Sequence, residues 1–170
     1  MKNLTTLGES AFAYNNRITK AVCLGKITEV NYDAFRKSSA DTTLTEVYLP
    51  KECTSLKNNC FINNTGLTIL KKYEDSVDDW VDGVTPTSGN ITGITRFANS
   101  CLYMCYNLAA TIDLTGVTHL GGGCFYNAQN ITFIGNTNSV IEWGERNFSC
   151  ERGKNIDLSN VSIVLNYNAT

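Results

Sequence analysis

Short apolar steps recur along the chain at nearly regular intervals. In each step two apolar residues stand three positions apart, as Leu4 and Leu7 do, and four residues later a small residue precedes an aromatic residue or leucine. Three of the five intervals between these pairs are 23 residues, and the other two are longer by 3 and 18 residues. The pattern therefore predicts about six repeat units with two insertions. The pairs are Ala11-Phe12, Ala34-Phe35, Cys60-Phe61, Cys101-Leu102, Cys124-Phe125 and Asn147-Phe148.

Each unit also carries a second apolar run of alternating character, such as Ile112-Asp113-Leu114. Alternation with a period of two is typical of half-buried strands. The segment around each small–aromatic pair is too short for an independent helix, so one helical turn is expected there. A single unit cannot bury its apolar side, but stacked units can. We therefore predict an α+β solenoid, a right-handed coil with two short strands and one helical turn per repeat. It forms a single domain over residues 1–170, with an excursion at residues 71–93.

The repeat units resemble a known family. The stretches Leu4-Thr5-Thr6-Leu7-Gly8-Glu9-Ser10-Ala11-Phe12 and Leu44-Thr45-Glu46-Val47-Tyr48-Leu49-Pro50 are similar to the BspA-like leucine-rich repeat, as is Cys105, three residues after Leu102. The resemblance covers nearly the whole chain. It implies a leucine-rich-repeat solenoid and a mostly non-enzymatic role, since this family contains surface adhesins of bacteria and parasitic protists, with related repeats in virus-encoded proteins.

Composition and charge narrow the classes of function. The chain has 170 residues, 18% of them charged, and a formal net charge of −2, which excludes a strongly basic nucleic-acid binder. No apolar stretch reaches the roughly 18 residues of a membrane span, so no membrane insertion is expected. The first residues lack the apolar region of a secretory signal. Localisation stays open: the cell surface or a virion if the chain is a fragment or an assembly subunit, and otherwise the cytoplasm.

The residues that could carry chemistry are few. Seven cysteines without a Cys-x-x-Cys pair and a single histidine make a metal site improbable, and no cofactor is expected. Cys60, Cys101 and Cys124 share the small position of the repeat, so we expect them to be stacked, buried and reduced. His119 precedes the inward Leu120 and is expected to be exposed to solvent. No catalytic residues are predicted. A ladder of core aromatics is expected from Phe12, Phe35, Phe61, Phe125 and Phe148.

Partner-binding residues are expected on the outer face of the second strand of each unit and in the excursion. Mixed aromatic and charged residues on a flat sheet could bind protein or glycan, or be ordinary surface. The acids of the excursion suggest a binding loop or a weak Ca²⁺ site, but their spacing favours a plain structural loop over metal. The candidate residues are Glu46, Tyr48, Lys71, Tyr73, Trp80, Asp113, Phe133 and Asp157.

The sequence thus favours a non-catalytic, adhesin-like interaction module that binds a protein or glycan partner. The alternative is a structural subunit of a virion or surface assembly, with repeats used for stacking and oligomer contacts. The first unit starts almost at once with Leu4 and Leu7, so we expect its outer side to be covered by an upstream segment or by self-association.

Overall fold

Two stacks of short strands build the molecule. The computed structural model describes residues 4–22, 25–73, 88–151 and 156–163. The strands are β1 (Lys20–Val22), β2 (Glu29–Val30), β3 (Glu46–Leu49), β4 (Ser55–Leu56), β5 (Ile69–Tyr73), β6 (Ser88–Gly89), β7 (Arg96–Phe97), β8 (Thr111–Asp113), β9 (His119–Leu120), β10 (Thr132–Asn136), β11 (Glu142–Trp143) and β12 (Val161–Ser162). One stack is a five-stranded sheet in the order β11-β9-β7-β4-β2, parallel throughout. The other stack consists of two sheets, in the orders β1-β3-β5-β6 and β12-β10-β8.

Strand pairing brings equivalent positions of neighbouring units side by side. Val47 pairs with Leu70, and Phe97 pairs with Leu120, so the inward residues of successive coils form columns. These columns fill one continuous core between the two stacks. The predicted solenoid is therefore confirmed as a β-solenoid, in which one repeat unit corresponds to one coil.

The expected helical turn is wrong. Residues 4–22, 25–73, 88–151 and 156–163 contain no helix, and hence none that could cross a membrane. The segment between the strands instead hydrogen-bonds to the next coil: the N–H groups of Ser10, Phe12 and Tyr14 donate to the carbonyls of Tyr32, Ala34 and Arg36, each at 2.8 Å. In a helix these N–H groups would donate to carbonyls of their own segment. Here they donate to the next coil, so the segment is not helical.

The same backbone conformation recurs in every one of these turn segments. The residue before each small position has a left-handed φ between 52° and 62°, a region that residues other than glycine seldom adopt. The residues are Ser10, Asp33, Asn59, Ser100, Gly123 and Arg146. This reversal points alternate N–H groups along the solenoid axis. We call the resulting set of bonds between residues 10–14, 32–37, 58–63, 99–104, 122–127 and 145–149 the turn ladder.

Aromatic rings stack through the core beside the turn ladder. Phe35 lies 5.4 Å from Phe61, and Phe125 lies 5.5 Å from Phe148, measured between ring centroids, with nearly parallel planes. Phe35, Phe61 and Phe125 are buried, as predicted. Phe12 stacks on Phe35 at 5.4 Å but is 39% exposed, because no described coil covers its other face.

The three stacked cysteines are buried free thiols, as predicted. Cys60 Sγ donates to the carbonyl of Cys101 at 3.8 Å, and Cys101 Sγ donates to that of Cys124 at the same distance. Cys53 and Cys105 are also buried and free. Burial raises the pKa of Cys53 to about 11 and that of Cys105 to about 12, and it raises the pKa values of the three stacked thiols well above their ordinary value.

Candidate functional site

The outer face of the second stack presents only part of the expected binding set. Lys71 and Asp157 are exposed, whereas Glu46 and Asp113 are half-buried. Asp113 Oδ1 accepts a hydrogen bond from the N–H of Thr115 at 2.8 Å, and Asp157 makes the same local contact with Ser159. The hydrogen bond from Ser159 lowers the pKa of Asp157. Trp80 lies outside the described residues.

Phe133 belongs to the core, so its expected outward position is wrong. It is 1% exposed, and its ring centroid lies 4.9 Å from that of Phe125 and 5.2 Å from that of Phe148. Pairing of β10 with β8 sets Phe133 against Ile112, an inward residue. Ile131 is buried two positions earlier, which fixes the parity of the alternation in this unit.

Tyr48 and Tyr73 are buried outside the main core. They are 5% and 2% exposed and form a small apolar cluster with Val22 and Ile69 on the outer face of the sheet. The Tyr48 hydroxyl donates to Glu46 Oε2 at 3.2 Å. Burial, followed by the neighbouring Glu46 carboxylate, raises the pKa of Tyr48. Both tyrosines therefore stabilise the sheet and leave little ring surface for a partner.

A cleft opens where the second stack is interrupted. Strand β5 pairs on its outer edge with β6, in antiparallel register, and Ile91 then bridges to Ile112 of β8. Because β6 and Ile91 stand between β5 and β8, these two strands diverge. The resulting cleft has a volume of about 390 Å³. It is lined by Leu70, Lys71, Gly89, Asn90, Ala109, Ala110, Thr111, Asn130 and Thr132.

The lining of the cleft is mainly polar. Lys71, Asn90, Asn130, Thr111 and Thr132 are among the residues that line it, and the Asn130 amide also donates to the carbonyl of Tyr106 at 2.9 Å. These groups both donate and accept hydrogen bonds. Such a surface suits non-covalent binding of a polar ligand, and its volume falls within the range of about 300–1,000 Å³ that is usual for ligand sites.

The repeated coils and their spacing identify the family. A profile of the BspA type leucine rich repeat region matches the chain in six copies, over residues 1–71 and 87–169. The chain belongs to the BspA-type leucine-rich repeat family. Neither a search of curated proteins nor a search of solved structures finds a match. BspA-type repeats are typically adhesin-like interaction modules and are generally non-catalytic.

In this BspA-type solenoid, Lys72 holds one wall of the cleft in place. It is 7% exposed, and its Nζ donates to the carbonyls of Cys53 at 2.7 Å and Thr92 at 2.9 Å. The two bonds tie the chain that returns from the excursion to the preceding coil. Desolvation lowers the pKa of Lys72. Alternation could have identified this residue, since Lys71 points outward and its neighbour must point inward.

His119 is less exposed than expected in this BspA-type sheet. Its side chain is 15% exposed, and its Nδ1 contacts Glu142 Oε2 on the adjacent strand β11. Arg96 of β7 is its neighbour on the other side. A five-stranded sheet places a flanking side chain on each side of every inner strand, and these neighbours cover most of the ring.

Three residues that line the cleft were missed from the sequence: Asn90, Asn130 and Thr132. Alternation along β8 does point Thr111 toward the outer face. Thr111 and Thr132 are paired across β8 and β10, which the repeat spacing could have revealed. Asn90 lies within the excursion at residues 71–93, where the repeat pattern breaks. The cleft itself depends on how β5 and β8 diverge, and the spacing of apolar residues does not determine that divergence.

Proposed function

We propose that this BspA-type chain is a non-catalytic, adhesin-like interaction module that binds an extended segment of a partner protein in the cleft between β5 and β8. The cleft is the single observation that carries the proposal. It lies on the outer face of the sheet and presents polar groups of both hydrogen-bonding types. Long insertions within a repeat often lie on a binding face, and this one forms part of the cleft wall through Gly89 and Asn90.

The charge of the cleft favours a partner segment that carries a carboxylate. Lys71 is the charged residue among those that line it, and its side chain is exposed. A hydrogen bond between an ammonium and a carboxylate is stronger than one between neutral groups. The amides and hydroxyls around Lys71 would hydrogen-bond the backbone of the same segment.

Charge reversal at Lys71 tests this function. Peptides selected from a display library of short random peptides on the wild-type chain are expected to be enriched in aspartate and glutamate. Their Kd, measured by titration calorimetry, should rise at least about tenfold in Lys71→Glu, since removing one charged hydrogen bond costs about 1.5–3 kcal/mol.

Lys26→Glu is the matched control, because Lys26 is also exposed but lies at the start of the second coil and does not line the cleft. It makes the same charge change and should leave the Kd unchanged. Equal weakening in both variants, or no enrichment of acidic peptides, would contradict binding in the cleft.

A second function, structural stacking of chains, is supported by the two ends of the turn ladder. All its bonds run in one direction, from N–H groups of one coil to carbonyls of the next. Within the described residues the carbonyls of Glu9, Ala11 and Ala13 therefore accept no hydrogen bond, and the N–H groups of Arg146 and Phe148 donate none. The two ends are complementary, as the head-to-tail contact of a growing stack requires.

Exposed apolar side chains accompany both ends. Tyr14 is 58% exposed in the first coil, and Ile141 is 77% exposed in the coil that carries β11.

If copies stack, the mass measured by native mass spectrometry should rise with concentration, and Tyr14→Glu should reduce it to the monomer mass. Lys71→Glu, away from both ends, should not. A wild-type chain that stays monomeric would favour coverage of the first coil by an upstream segment instead.

A further inference from the structure

Two stacked tyrosines lie on the outside of the turn ladder, far along the chain from Lys71. Tyr103 and Tyr126 occupy the same position of consecutive coils, with ring centroids 4.8 Å apart and planes inclined by 12°. Both side chains are half-exposed. Ser149 takes this position in the next coil, so the ring stack ends at Tyr126. We call Tyr103 and Tyr126 the tyrosine platform.

A small pocket adjoins the tyrosine platform. Its volume is about 240 Å³, and its lining consists of Tyr103, Gly122, Gly123, Tyr126, Glu145 and Arg146. A Cβ atom added at Gly123 would lie 3.5 Å from Cδ2 of Tyr103 and 3.8 Å from Cβ of Tyr126. A side chain that extends beyond Cβ at this position would therefore occupy the space beside the two rings.

The glycine at position 123 is not required by the fold. Its φ is +62°, but Ser10, Asp33, Asn59, Ser100 and Arg146 adopt nearly the same left-handed conformation at the equivalent position of other coils. Gly121 differs, because a Cβ there would lie 2.4 Å from the backbone N of Asn99. Packing thus explains Gly121, whereas the effect of Gly123 in this coil is to keep the pocket open.

The shape of the pocket narrows the class of ligand. A quaternary ammonium group is bound by aromatic rings that surround it, and these two rings are nearly parallel and stacked on each other. The volume lies below the range of about 300–1,000 Å³ for drug-sized ligands, which is too little for a groove that holds several peptide residues. One or two small rings would fit.

The charged residues at the rim of the pocket restrict the class of ligand further. Glu145 and Arg146 line the pocket and are exposed, and their side chains carry opposite charges. A ligand that fits both the rings and these charges must have an apolar face and a polar edge. A pyranose ring has both features: its C–H groups pack against the negative face of an aromatic ring, and its hydroxyls both donate to a carboxylate and accept from a guanidinium.

We propose that the tyrosine platform and its pocket bind a neutral saccharide of one or two pyranose rings. The rings of Tyr103 and Tyr126 supply the apolar surface, and Glu145 and Arg146 supply the hydrogen bonds that orient the sugar. This site is separate from the cleft, so the chain would carry a sugar-binding site in addition to the protein-binding one proposed above.

Titration with defined sugars tests the proposal. The probes are the methyl glycosides of glucose, galactose, mannose and N-acetylglucosamine, with the disaccharides lactose and cellobiose, observed by saturation-transfer NMR. At least one is expected to bind with a Kd of about 1 mM or below. Gly123→Ser should weaken it at least about tenfold. Serine takes the same position as Ser10 and Ser100 with the same φ, so this variant should keep the fold.

Two tyrosine variants and one cleft variant complete the design. Tyr126→Phe retains the ring and should bind within about threefold of the wild type, whereas Tyr126→Ala should bind at least about tenfold more weakly. Lys71→Glu should leave sugar binding unchanged, and Gly123→Ser should leave peptide binding unchanged, so the two proposals fail independently. Absence of binding to every sugar, stronger binding of choline than of any sugar, or wild-type affinity in Gly123→Ser would overturn the saccharide site.

Discussion

The free energy of unfolding should fall steeply once the pH is raised above about 9, the ordinary pKa of a thiol. Five buried thiols retain their protons in the folded chain to higher pH than in the unfolded chain, because burial disfavours the thiolate. The pKa rises from 9.0 to about 11 at Cys53 and to about 12 at Cys105. It also rises well above the ordinary value at Cys60, Cys101 and Cys124.

The sign follows from the numbers of bound protons. Above pH 9 the thiols of the unfolded chain lose their protons while those of the folded chain keep them, so a rise in pH favours unfolding. Each thiol then lowers the free energy of unfolding by about 1.4 kcal/mol per pH unit, so five thiols lower it by about 7 kcal/mol over one pH unit. That is comparable with the whole stability of a typical domain, about 5–15 kcal/mol. Below pH 9 the contribution is fully present. The pKa of Lys72 is lowered, so its titration raises the free energy of unfolding as the pH rises. This is one group against five thiols.

Urea unfolding measured between pH 8 and pH 11 checks this expectation. Cys101→Ala should reduce the slope against pH by about one proton, and the fold should tolerate it because Ala34 occupies the equivalent position of another coil. The expectation fails if Cys101→Ala has the wild-type slope, or if a thiol reagent rapidly labels Cys60, Cys101 and Cys124 in the native protein.

Replacing Phe125 by alanine should cost about 3–5 kcal/mol of unfolding free energy. The ring is fully buried and contacts three others, with centroid distances of 4.9 Å to Phe97, 4.9 Å to Phe133 and 5.5 Å to Phe148. Its removal leaves a cavity that the surrounding coils cannot close without shifting their backbones, because the turn ladder holds adjacent segments together.

Phe12→Ala is the matched control, since Phe12 occupies the same position of the repeat but is 39% exposed and, among the described residues, stacks on one ring. It should cost no more than about half as much as Phe125→Ala in the same denaturant titration. Equal losses for the two variants, or a loss below about 1 kcal/mol for Phe125→Ala, would mean that the ring does not fill the core as described.

The spacing of apolar residues was sufficient to predict the stacking of coils. Two consecutive intervals of 23 residues place Cys101, Cys124 and Asn147 in one column, and stacking makes every column either inward or outward. The turn segments could not be predicted in this way. Their conformation depends on N–H groups that bond to another coil, and local helix propensity carries no information about those bonds.

The candidate binding face was predicted less well for two physical reasons. Phe133 was assigned to the wrong face because alternation gives a period but not a starting point, and burial of Ile131 supplies that starting point. Tyr48 and Tyr73 point outward yet are buried against Val22 and Ile69. Such burial depends on side chains of neighbouring strands, which are far apart in the sequence.

The turn ladder continues without a missing hydrogen bond across the longest interval between repeat units. The N–H of Asn59 donates to the carbonyl of Asn99, and that of Phe61 to the carbonyl of Cys101, each at 2.9 Å, although 41 residues separate Cys60 from Cys101. Extra chain can therefore be accommodated at the corner between β5 and β7 while the spacing of the coils at the turn side stays the same. During evolution, insertions and deletions can change the length and the side chains of this corner without compensating mutations in the core. A new binding specificity could therefore arise there while the remaining coils stay unchanged.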